Sequence, residues 1–175
     1  MNEEKIGQVW IETVIYIMIG LTLIALVLAF VIPKTNQQKD NAIIEQAINS
    51  LNDVDEKVIE VIDNGPGNKR MRDFNLKAGK ISLYSDKDEM VYQIDEIEQP
   101  YSEPNIKIPM GRIIVESTIL AKKNRVSLTL SYNNMANLTF NKGILNPSSM
   151  PYSFTIENFG LPVGSSLYNI RVNIK

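Results

Sequence analysis

From Val9 to Ile32 the chain reads VWIETVIYIMIGLTLIALVLAFVI, with Glu12 as its only charged side chain. About 20 apolar residues at 1.5 Å rise cross the ~30 Å hydrocarbon core of a bilayer, so a run of this length spans a membrane unaided. Nothing after Ile32 is comparable, which limits the chain to one span. The rest of the 175 residues has room for a single domain beside that anchor.

Charge and composition narrow what that domain does. The formal net charge is −2, and Lys69-Arg70-Met71-Arg72 is the one short basic run. Nucleic acid is therefore not expected as a partner, because binding phosphates requires a basic surface. Histidine and cysteine are both absent. That removes the common general base, the thiol nucleophile, most zinc ligands and any disulfide framework, and leaves export undecided. There is no Gly-x-Ser-x-Gly elbow, phosphate-binding loop or dinucleotide fingerprint. Asp86, Asp88 and Glu89 lack the spacing of a calcium loop and read as a solvated hairpin tip, and Asp95, Glu96 and Glu98 form a second acidic cluster of the same kind. The expectation is a protein that is not an enzyme, with no cofactor and no metal site.

Three readings compete for the N-terminus. A cleaved secretory signal has a basic leader, an apolar core of about 7–15 residues and a small-residue cut site. Here Met1-Asn2-Glu3-Glu4-Lys5-Ile6-Gly7 carries two acids and one lysine, and the apolar run continues past the candidate site Val27-Leu28-Ala29. A plain signal anchor explains the run but not Glu12, since a carboxylate inside an apolar helix is costly and is usually functional, paired or snorkelled to the interface. Glu12 lies about one turn inside the run, within snorkelling reach. Lys5 before the run and Lys34 and Lys39 after it do not orient the helix cleanly. The third reading accounts for both run and acid. Lys5-Ile6-Gly7, then Gln8, then an apolar stretch with Glu12 as the fifth residue after Gly7, resembles the class III (prepilin-type) signal of type IV pilin-like and archaellin-like proteins, the archaeal form in particular. The likeness covers roughly the length of one membrane helix, and the acidic leader departs from it.

The resemblance implies a definite maturation. A membrane aspartyl prepilin peptidase would cut between Gly7 and Gln8 on the cytoplasmic side, leaving the helix in the mature protein. Gly7 has no side chain to obstruct an extended backbone in the protease. In bacterial relatives the acid corresponding to Glu12 pairs with the amino terminus of a neighbouring subunit, where two opposite charges offset each other's burial cost. In archaeal members that pairing is less general, so Glu12 is an assembly residue with no assigned partner.

Beyond the span, Pro33 is expected to kink or interrupt the helix. Ala42, Ile43, Ala47, Ile48, Leu51, Val54, Val58, Ile59 and Ile62 then recur at helical spacing. Asp53 with Glu56 suggests a capping box and a break near Asn52, and Asn64-Gly65-Pro66-Gly67 is a stop. From about Phe74 short alternating runs follow: 80–84, 90–94, 105–109, 111–117, 125–132, 138–140, 153–157 and 167–174. Seven or eight strands at such spacing predict an antiparallel, sandwich-like domain. The expected fold is α+β: leader 1–7, membrane or filament-core helix 8–32, helical stalk 33–64 and a β-rich extracytoplasmic domain 74–175. Asn137-Leu138-Thr139 is a candidate N-glycosylation acceptor if that domain faces outside. The function expected is that of a subunit, or minor component, of a type IV pilus-like or archaellum-like cell-surface filament. Its partners would be the membrane, the peptidase, and copies of itself or other pilin-like subunits. The alternative is a signal-anchored extracytoplasmic binding module that never polymerises.

Overall fold

The structure is a computed structural model that describes the backbone from Glu3 to Lys175 and side chains from Trp10 onward. One helix, α1 (Glu3–Asp63), precedes ten strands: β1 (Lys69–Phe74), β2 (Lys80–Tyr84), β3 (Glu89–Ile97), β4 (Lys107–Met110), β5 (Ile113–Ile119), β6 (Asn124–Ser131), β7 (Ala136–Phe140), β8 (Ile144–Leu145), β9 (Tyr152–Asn158) and β10 (Tyr168–Ile174). The chain divides into two compact units, Met1–Lys39 and Asp40–Lys175. A long apolar helix followed by a mostly antiparallel two-sheet β domain makes the fold α+β.

In the first unit every residue from Trp10 to Ile32 is exposed except Gly20, which is half-covered. Helical assignment runs through Pro33, where an interruption was expected. Proline removes one donor, the N–H that would bond the Ala29 carbonyl, and the neighbouring turns remain bonded. Two hydroxyls add bonds in this region: Thr22 Oγ1 donates to the Met18 carbonyl at 2.8 Å and Thr35 Oγ1 to the Val31 carbonyl at 3.0 Å.

In the second unit the helix has a buried seam of Ile44, Ala47, Ile48, Leu51, Val54, Val58 and Val61. The seam is rotated slightly from the expected one: Ile44 and Val61 join it and Ala42 faces solvent. The break expected near Asn52 is absent, and Asp53 forms an ion pair with Arg72 instead of capping a new helix. The stop after Asp63 is as read: Gly65 adopts φ 79°, and its N–H bonds the Ile62 carbonyl at 3.1 Å. Only a residue without Cβ enters that left-handed conformation without strain.

The sheets have the orders β1-β9-β10-β7 and β4-β5-β6-β3-β2-β8. Their inward residues, among them Phe74, Tyr92, Leu128, Phe154 and Val172, share one core with the helix seam. Three features differ from an all-antiparallel sandwich of seven or eight strands. β7 and β10 pair in parallel, which the intervening segment with β8 and β9 allows, since parallel neighbours need a long crossover. β8 is a two-residue strand on the edge beside β2. β1 occupies the basic run, which lacks alternation. It pairs with β9, and its cations meet acids: Arg70 Nε lies 2.6 Å from Glu60, Lys69 Nζ lies 3.5 Å from Glu157, and Arg72 reaches Asp53.

Candidate assembly site

The two units present different chemistry. In the first, α1 is long and apolar enough to cross a membrane. Trp10 to Ile32 measures about 35 Å at helical rise, against a hydrocarbon core of about 30 Å. Every residue of this stretch but Gly20 is exposed. Trp10 is 73% exposed and Phe30 80%, values that water tolerates only at a large hydrophobic cost.

Glu12 lies on this surface, exposed, with the Tyr16 hydroxyl donating to its Oε1 at 3.3 Å. The pair is separated by one helical turn, so both side chains share a face. Gly7 and Gln8 fall within the α1 backbone, and the Gln8 side chain lies outside the described ones. Asn137 lies on β7, half-buried, and its Nδ2 donates to Asn169 Oδ1 at 3.2 Å, the residue opposite it on β10. A glycan on that nitrogen would replace one of the two amide hydrogens and leave one to donate.

The second unit contains a polar site that the sequence reading missed. Asp55, 7% exposed, sits in the apolar seam between Val54 and Val58. Its Oδ1 accepts from Tyr132 Oη at 2.8 Å and from Arg112 Nε at 3.0 Å. Arg112 also donates to the Ser131 carbonyl at 3.3 Å and stacks 5.2 Å from the Tyr132 ring. Burial, and then the negative charge of Asp55, push the Tyr132 phenol well above its usual range. This holds the hydroxyl protonated as a donor. The arrangement ties the helix to the end of β6 and to the start of β5. The signal was present in the sequence as an aspartate on the apolar side of a helix, one turn from Leu51.

Asn158 is a second such fixture, 1% exposed at the end of β9. Its Nδ2 donates to the Val61 carbonyl at 3.1 Å and its Oδ1 accepts from Gly160 N–H at 2.8 Å. One of the carbonyls left over at the helix end is thereby satisfied inside the protein. The acidic clusters have structural uses too: Asp88 accepts the Leu138 N–H at 2.6 Å, while Asp95 pairs with Arg125 and Glu98 with Lys123. Among the described residues no group of three or more acids, histidines or cysteines is placed to hold a metal. A cavity of about 290 Å³ lies beside the seam, lined by Ile43, Ala47, Ser50, Lys77, Ala78 and Tyr92. The Tyr92 hydroxyl donates to the Ala78 carbonyl at 2.7 Å rather than into that space. Comparison with protein-family models, with curated protein sequences and with solved structures finds no match to this chain.

Proposed function

We propose that this chain is a precursor subunit, or a minor pilin-like component, of a type IV pilus-like or archaellum-like surface filament. The observation that carries the reading is the surface of α1 from Trp10 to Ile32, apolar, exposed and long enough to cross a membrane. Such a surface needs a bilayer before assembly, and other apolar helices afterwards serve the same physical purpose without water. The β domain, with its own core, would face outward and set adhesion or packing. Glu12 would supply the polar contact of the assembly helix. Maturation would follow cleavage between Gly7 and Gln8. The bond to be cut is in helical backbone here, and a glycine beside the helix start lowers the cost of unwinding that turn into a protease.

Mass spectrometry of the native N-terminus tests this. A mature chain beginning at Gln8 is expected, and Gly7→Phe should accumulate the longer precursor. A native chain beginning at Met1 would sink the proposal and favour the signal-anchored binding module.

A further inference from the structure

We propose that Tyr16 is the positioning partner of Glu12, holding its carboxylate hydrogen-bonded within one helix while α1 lies in a bilayer and before any other chain reaches it. This role rests on the membrane reading of α1, not on its polymerisation. Side chains on a helix lean toward its N-terminus, so a long residue at i+4 reaches back over the turn to the residue at i. Tyr16 does so, with its hydroxyl 3.3 Å from Glu12 Oε1. Ile11, Glu12, Ile15 and Tyr16 line one shallow concavity on the helix surface. Two polar atoms therefore face each other among apolar neighbours.

At 3.3 Å the bond is long for two oxygens, and in water the solvent competes with it. In hydrocarbon that competition disappears, and the alternative for the carboxylate is to remain unpaired at far greater cost. Tyrosine suits the task because its ring belongs at the apolar boundary while its hydroxyl donates, whereas phenylalanine would supply only the ring. A carboxylate accepts several hydrogen bonds on two oxygens. Tyr16 occupies one oxygen and leaves Glu12 able to accept a donor from a neighbouring copy during assembly.

The full chain is made as wild type, Tyr16→Phe, Glu12→Leu and the double variant, each incubated with phosphatidylcholine–phosphatidylglycerol vesicles. The ratio of vesicle-bound, floated chain to free chain is then measured at neutral pH. Tyr16→Phe should lower that ratio about three- to fifteen-fold when Glu12 is present, the range of measured side-chain hydrogen bonds within membranes. With Leu at position 12 the same change should have almost no effect. Tyr16→Gln keeps a donor at similar reach and should retain more of the ratio than Tyr16→Phe, although glutamine is the less apolar residue. Equal losses in both backgrounds, no loss in either, or a Gln variant worse than Phe would each overturn the role. Electron microscopy of cells bearing the same variants separates the two proposals: coupling without filaments spares Tyr16 and removes the filament, and filaments without coupling do the reverse.

Discussion

Residues 10–32 and 44–62 of α1 are both rich in Ile, Val, Leu and Ala, and they use that richness in opposite ways. The first stretch is apolar on every side and is exposed on every side. The second confines its apolar residues to a seam, buries them against two sheets, and turns Glu45, Asn49, Asn52 and Glu56 to solvent. A polar face on the second stretch fixes which side its own domain buries, whereas a helix apolar all round must be covered on every side. Each half also contains one acid on its apolar surface. Asp55 has a cation and a phenol from its own domain, whereas Glu12 has only the phenol of Tyr16 among the described contacts.

The contrast is easiest to break with matched substitutions. Leu51→Ala removes a side chain that is 1% exposed and should cost about 2–5 kcal/mol of domain stability, read by denaturant titration of the detergent-solubilised chain. Leu23→Ala, the same chemical change in the exposed stretch, should shift that transition by less than about 0.5 kcal/mol. Equal shifts would mean that the two halves are not energetically distinct.

Asp55→Ala sharpens the comparison of the two acids. It strands Tyr132 in the core and leaves Arg112, whose side chain is a third exposed, to rehydrate partly. A loss of about 2–3 kcal/mol is expected, below the full range for a deeply buried pair. Adding Arg112→Met should recover part of it, and a double variant as unstable as the sum of the singles would show that the pair is not coupled.

A smaller and pH-dependent effect belongs to the domain alone. Burial raises the Tyr92 phenol from 10.0 to about 12. A group whose folded value is raised contributes stability that is complete below its unfolded value and is lost as pH climbs toward the folded one. Tyr92 should therefore contribute a fall of roughly 2 kcal/mol between about pH 10 and 12, and Tyr92→Phe should make the slope in that window shallower, leaving the part that belongs to Tyr132. Loss of stability in the same window at unchanged slope in Tyr92→Phe would assign the effect to other groups.

Much of this architecture was legible because its physics is local. The membrane run is a matter of composition, and β2, β3, β6 and β10 announce themselves by alternation against a one-sided core. β1 was illegible for the opposite reason. Lys69 to Arg72 form a strand because Glu157, Glu60 and Asp53 wait beside them, and two of those acids come from the helix. The parallel pairing of β7 with β10 and the two-residue β8 depend likewise on partners distant in sequence. Asp53 and Glu56 imitated a capping box, yet tertiary pairing with Arg72 was the stronger use of Asp53. In the candidate site Glu12 stood out as a lone charge. Tyr16, uncharged and chemically at home in an apolar run, became visible only through its position one turn away.

The Asn158 bond to the Val61 carbonyl carries a consequence for the order of events in the cell. These residues lie 97 positions apart, and β1, directly after the helix, pairs with β9 rather than with any nearer strand. The helix seam cannot be closed while the chain is still emerging, because the residues that seal its end are synthesised long after it. An apolar segment that is synthesised early is thus joined to a domain that completes late, through contacts of high sequence separation. Before β9 and β10 arrive, the nascent domain has an open core, and its seam is exposed to other apolar surfaces.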